Sequence, residues 1–253
     1  MDGALDRFDT VVIDPGHGGD DEGARGAGGV LEKDLVLDVA RRLRTHLDRA
    51  GLQVLLTRER DVYVPLEDRT TIANEARGDL FLSIHANAAP ARAARGVETF
   101  FLSLEASDDD ARQLAARENA AFRDLTVPAV ASDDPLVAIL GDLAASELLQ
   151  ESGELARLAH QELASVLGAP ARGVKQAPFV VLMGLEMPAA LVEIGFVTNP
   201  QEARALADEG QRERLAAALA RAVLEFGRRY DARRGNAPRG PEASAHGAEG
   251  GAP

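Results

Sequence analysis

Two histidines of this chain stand directly after apolar runs. His17 sits in VVIDPGHGGD (11–20), among Gly16, Gly18 and Gly19, and His85 closes the run FLSIH in FLSIHANA (81–88). Glycines allow tight turns and close approach of a ligand to the backbone. Either histidine alone could simply bond its own turn. Two imidazoles delivered by two strand ends point instead to a shared metal ion, since imidazole is the commonest metal ligand. A catalytic zinc site takes three protein ligands and leaves one position open. The chain has no cysteine, so the third ligand must be a carboxylate. Glu32 is the candidate: at the start of a helical pattern it points about 40° from Val36, on the apolar side. Capping or dipole stabilisation is the plainer role for such an acid. Glu193, in PAALVEIGFVTNP (188–200), lies on the most apolar run of the chain. A buried carboxylate is costly unless it is paired or takes part in chemistry, and beside a metal it would serve as a general base. The other histidines carry less: His46 borders a helix stripe, His160 falls on the polar side of its helix, and His246 lies near the C-terminus.

The elements that would position these groups alternate. Six apolar runs read as strands: 10–13, 52–57, 79–84, 97–103, 179–183 and 189–194. Several are continuous rather than alternating, as in strands covered on both faces. Helical patterns fall at 33–49, where Val36, Val39, Ala40, Leu43 and Leu47 form a stripe, at 65–76 behind Pro65, and at 211–229. The expected fold is α/β: a single domain with a mixed, mostly parallel six-stranded sheet flanked by helices. Ligands in such sheets bind outside the carboxyl ends of strands, where His17, His85 and Glu193 fall. Residues 105–176 read as a helical, acidic insertion between the fourth and fifth strands, far longer than an ordinary connection. The catalytic unit would span 8–231, and residues 232–253, rich in Gly, Ala and Pro, read as a disordered tail.

Bulk properties narrow the function classes. A net charge of −13 argues against nucleic acid as a partner. No apolar run is long enough for a membrane span. The absence of cysteine excludes disulfides and thiolate nucleophiles. The N-terminal stretch MDGALDRFDT lacks a signal-peptide pattern, so the sequence reads as a cytoplasmic protein or as an excised or mature form.

Taken in order, IDPGHGG (13–19), EKDLVLDVA (32–40), TRERD (57–61), LEDRTTIAN (66–74), FLSIHAN (81–87) and LVEIGFVTNP (191–200) resemble the zinc-dependent N-acetylmuramoyl-L-alanine amidases of the cell-separation type. The resemblance covers roughly residues 10–229. It implies one Zn²⁺ per chain held by His17, Glu32 and His85, with Glu193 as the catalytic glutamate. The implied substrate is peptidoglycan, cut at the amide between N-acetylmuramic acid and the L-alanine of its stem peptide. It also implies a cell-envelope setting, periplasmic or extracellular. Asn87 and Arg69 would help to position substrate. The segment ARENAAF (116–122) resembles the regulatory insertion of cell-division amidases, in which a helix plugs the site until an activator protein withdraws it. Within 105–176, Leu136, Leu140 and Leu143 share a helix face, and Glu147 points within about 20° of Leu136. Glu147 is thus the expected autoinhibitory fourth ligand, with a solvated helix-end acid as the alternative. Two other readings stay open at this point: a peptidase-like zinc hydrolase, and a catalytically silent wall-binding module.

Overall fold

The computed structural model describes residues 7–121, 135–168 and 171–236. Its elements run β1 (Thr10–Pro15), α1 (Glu32–Arg49), β2 (Gln53–Leu56), α2 (Leu66–Glu75), β3 (Leu80–Asn87), β4 (Val97–Leu102), α3 (Asp109–Glu118), α4 (Pro135–Leu167), β5 (Ala171–Ala177), β6 (Ala189–Phe196), α5 (Pro200–Ala207) and α6 (Glu209–Arg233). One six-stranded sheet has the order β2-β1-β3-β6-β4-β5. Strands β1, β2, β3 and β6 are parallel, β4 is antiparallel to β6, and β5 is parallel to β4. The carboxyl ends of β1, β3 and β6 therefore meet the amino ends of β4 and β5 along one edge of the sheet.

Helices cover both faces, and the strands are apolar on both for that reason. On one face α1, α4 and α6 pack on Val11, Ile13, Leu82, Ile84, Val192 and Ile194. The stripe foreseen on α1 is buried throughout, Val36, Val39, Ala40, Leu43 and Leu47 among it. Each such Leu or Val contributes about 1.5–3 kcal/mol. The other face, with Val12, Phe81, Phe100 and Leu191, is covered by α2, α3 and the turn at 180–182. Asp14, Ser83, His85, Glu193 and Glu98 share this second face by strand alternation with Val12, Phe81, Leu191 and Phe100.

The intervening stretch departs from expectation. The fifth strand is not 179–183 but Ala171–Ala177; Val180–Leu182 form a 3-10 turn. Phe179 is buried there edge-on against Phe100, 5.1 Å between ring centroids. The true strand, ARGVKQA, pairs among the described residues only with β4, and an edge strand carries charge readily. It therefore offers no apolar run by which to recognise it. Nor is 105–176 helical throughout, since it contains most of β5. In its second half, α4 puts Leu155, Ala156, Ala159 and Leu163 into the main core. His160, expected in solvent, is buried there and accepts a hydrogen bond from Gly173 N at 3.3 Å. At the C-terminus, α6 runs two residues into the expected tail, and buried Asn236 donates to Asp231. Residues 237–253, with His246, and the side chains of Leu136, Leu140 and Leu143 lie outside the described residues.

Candidate metal centre

His17 leaves β1 in a left-handed conformation, φ 60°. Such a conformation in a non-glycine residue persists only where its surroundings enforce it. Here two buried arginines do so. Arg69 donates to Asp14 Oδ1 at 2.8 Å and to the carbonyls of Pro15, His17 and Val64 at 2.9 Å each. Arg58 donates to the carbonyls of Pro15 (3.0 Å) and Gly16 (2.7 Å). Asp14, wholly buried, also accepts from Thr57 and Ser83. Burial works against its charge, but Arg69 and the two hydroxyls prevail and hold its carboxyl below the usual range. Two glycines are required by close approach. A Cβ at Gly16 would strike the His85 ring, and one at Gly23, φ +65°, would come within 2.7 Å of Glu32 Oε2.

The structure brings His17, Glu32 and His85 together, and with them Glu118 from the end of α3. Their four ligand atoms lie within 4.8 Å of one another. His17 Nε2 is 3.2 Å from Glu32 Oε1 and 3.3 Å from Glu118 Oε2; His85 Nδ1 is 3.1 Å from each of the same oxygens. A tetrahedral ion with bonds of about 2.0 Å spaces its ligands roughly 3.3 Å apart. The donor set therefore fits a divalent cation. Surrounding groups orient the ligands, as is usual around metals. Asp21 Oδ2 lies 2.9 Å from His17 Nδ1. Glu32 accepts from Ala24 N at 2.7 Å and from Ala86 N at 2.9 Å. His17 Nε2 and Glu118 Oε2 are buried and lack hydrogen-bond partners among the described residues.

The electrostatics call for positive charge. Burial disfavours the His85 imidazolium, yet Glu118 and Glu32 outweigh it and push its pKa up to about 10. His17 is raised likewise by Glu32, Asp21 and Glu118 against the cost of burial. Glu193, opposite His85 in the sheet register, is fully buried, and among the described residues neither of its oxygens has a hydrogen-bond partner. Burial, then the nearby Glu118, pushes its carboxyl well above the usual range. A groove of about 710 Å³ opens on the cluster, lined by His17, Asp21, Glu32, Tyr63, Arg117 and Glu118 among others.

The remaining expected residues fall elsewhere. Arg69 spends its guanidinium on the His17 loop and is 2% exposed, so it braces a ligand rather than meeting substrate. Asn87 is buried; it donates to Glu98 Oε2 at 3.0 Å and accepts from Arg117 at 3.3 Å. Glu147 is exposed and lines grooves with Asp79, Met187 and Pro188, at the amino ends of β3 and β6. The structure thus removes it from the cluster, across the length of the sheet, and puts Glu118 there. Periodicity placed an acid on an apolar stripe, but the direction of the helix, which spacing does not encode, took it away. The signal for Glu118 was ARENAAF itself. Asp108 caps the helix by accepting from Ala111 N at 2.7 Å, and Arg117, Glu118 and Asn119 dock its far end. Asn119 does so by donating to Pro178 O and accepting from Val180 N.

Donors able to hold a metal ion, set beside a buried and unpaired carboxylate at the strand ends of an α/β sheet, are the equipment of a metal-assisted hydrolase. The chain belongs to the N-acetylmuramoyl-L-alanine amidase family, whose pattern matches residues 11–225. It is 38% identical to the N-acetylmuramoyl-L-alanine amidase AmiA of Escherichia coli K12 over 88% of this chain and 77% of that protein. The structure is similar to that of the amidase AmiC2 of Nostoc punctiforme, with a TM-score of 0.66 and 29% identity over 87% of this chain and 97% of the other. The amidase of Clostridium difficile 630 superposes with the same score and coverage at 30% identity.

Proposed function

We propose that this chain hydrolyses peptidoglycan at the amide between the lactyl group of N-acetylmuramic acid and L-alanine, using one zinc ion held by His17, Glu32 and His85. The observation that carries the reading is the 3.1–3.2 Å spacing of Glu32 from both imidazoles, with Glu193 the register neighbour of His85. A bound zinc ion supplies Lewis acidity, polarising the amide carbonyl and making water acidic enough to attack near neutral pH. Glu193, whose raised pKa a cation held beside it would bring down, receives the proton of the attacking water on its carboxylate and can return it to the departing amine. Its unpaired oxygens suit that role, since no hydrogen bond among the described residues competes for them. Asp21 holds the His17 ring, and Arg69 and Arg58 hold the loop that carries it.

In the same reading Glu118 takes the position that substrate needs, so the resting enzyme is latent and an activator protein would act by drawing α3 away. The working compartment would be the cell envelope, where the substrate lies. The test is zinc content by plasma mass spectrometry, together with release of muropeptides from purified sacculi. One zinc per chain, with stem peptides freed from glycan, is expected. A protein without zinc, or one that cuts between amino acids of the stem while sparing the lactyl amide, overturns the assignment.

A further inference from the structure

A row of charged side chains crosses the sheet beneath α3. His85, Glu193 and Glu98 are register neighbours on β3, β6 and β4. At the end of the row, β5 brings Arg172 Nε to 3.0 Å and Lys175 Nζ to 2.9 Å of Glu98 Oε1. From β3 to β5 is three strand spacings, about 14 Å. The ten residues of α3 span about 15 Å. Acids at both ends of the helix stand on the row. Glu118 meets the two histidines, while Asp108 Oδ2 lies 3.0 Å from Lys175 Nζ and Asp110 Oδ2 lies 3.7 Å from Arg172. Within the sheet, both cations are ion-paired to the same acid, Glu98. The sheet therefore leaves one positive charge at this end of the row, and among the described residues the further acids in ion-pair range come from the start of α3. Arg172 Nε is buried and, although close to Glu98, forms no hydrogen bond among the described residues.

We propose that Arg172 and Lys175 form a subsite for a carboxylate of the acidic stem peptide, and that Asp108 and Asp110 fill it in the resting enzyme. The proposal rests on the amidase reading above. The helix then imitates substrate at two points, the reacting centre and an anion subsite two strands, about 10 Å, from Glu193. Guanidinium and ammonium suit an anion subsite because both are donors only, and charge-assisted bonds to a carboxylate are roughly twice as strong as neutral ones. The subsite would favour a peptide with a free carboxylate near the scissile amide over its carboxamide.

The experiment compares two synthetic muramoyl peptides, one with the free α-carboxylate on the residue after L-alanine and one with the carboxamide there, on the full zinc-loaded chain carrying Glu118→Gln. The acid form should show a KM about tenfold lower with similar kcat. This comparison needs no change at the subsite, so it does not depend on whether a variant folds. Arg172→Gln with Lys175→Gln should erase the preference, and Arg172→Lys in the presence of Lys175 should retain most of it. Asp108→Asn, which keeps a good helix cap, should lower KM for the acid form alone. Equal KM values for the two peptides overturn the subsite while leaving the amidase reading intact. A preference that survives in the folded double variant does the same. Cleavage of neither peptide sinks both.

Discussion

The two edges of the sheet both carry acids and use them in opposite ways. At the amino edge of β3 and β6, Glu151 and Glu154 on α4 are paired with Arg229 and Arg233 on α6 and with Arg234 just past its end. Glu151 and Glu154 thus end in ion pairs. At the carboxyl edge, Glu32, Glu118 and Glu193 crowd around two histidines. Among the described residues, His17 Nε2, Glu118 Oε2 and both oxygens of Glu193 are buried there without a hydrogen-bond partner. A fold tolerates unsatisfied buried polar groups only where something else supplies the missing charge or uses the group. Satisfaction, rather than acidity, separates the edge that holds the proposed metal centre from the edge that holds the fold.

The contrast can be broken most directly at the carboxyl edge. His17→Ala or His85→Ala should remove stoichiometric zinc and reduce hydrolysis to background, with metal analysis and muropeptide release as the measurements; full zinc in the double variant would remove these residues from the ligand set. Glu193→Gln should keep zinc and lose about 10²–10⁴-fold in turnover, the usual worth of a general base. Glu118→Gln should raise basal hydrolysis at least several-fold without an activator. An unchanged rate in that variant would mean that α3 does not hold the enzyme back.

Smaller effects lie behind the edge. Arg69→Met leaves Asp14 buried without its cation and should cost about 3–5 kcal/mol in urea unfolding, as breaking a buried pair does. Because the Asp14 carboxyl is held below its ordinary value, its contribution is present above about pH 4 and is lost as pH falls through the folded pKa. Asp14→Asn should therefore flatten the acid limb of the stability profile. At the amino edge Glu147→Ala should change neither activity nor stability by more than about 0.5 kcal/mol equivalent. A marked rise in activity from that change would return the second half of the comparison to the site.

His17, Glu32, His85 and Glu193 were legible because each breaks a local rule in an apolar setting: imidazoles after strands, an acid on a buried stripe, an acid on a buried strand. The α1 stripe was legible from its helical period, and the strands β1, β3 and β6 because burial on both faces writes itself as an unbroken apolar run. β5 was hidden because an edge strand needs little apolar character, and 179–183 misled because a buried 3-10 turn is as apolar as a strand. Glu118 and Glu147 could not be told apart by periodicity. Helical spacing fixes which residues share a face, but not which way the helix runs across the sheet. The sequence by itself determined the chemistry of the donors and the frame of strands that delivers them. Only the tertiary structure decided which acid of the intervening stretch reaches them, because that choice depends on where α3 and α4 lie, and packing sets those positions through contacts between residues far apart in the chain.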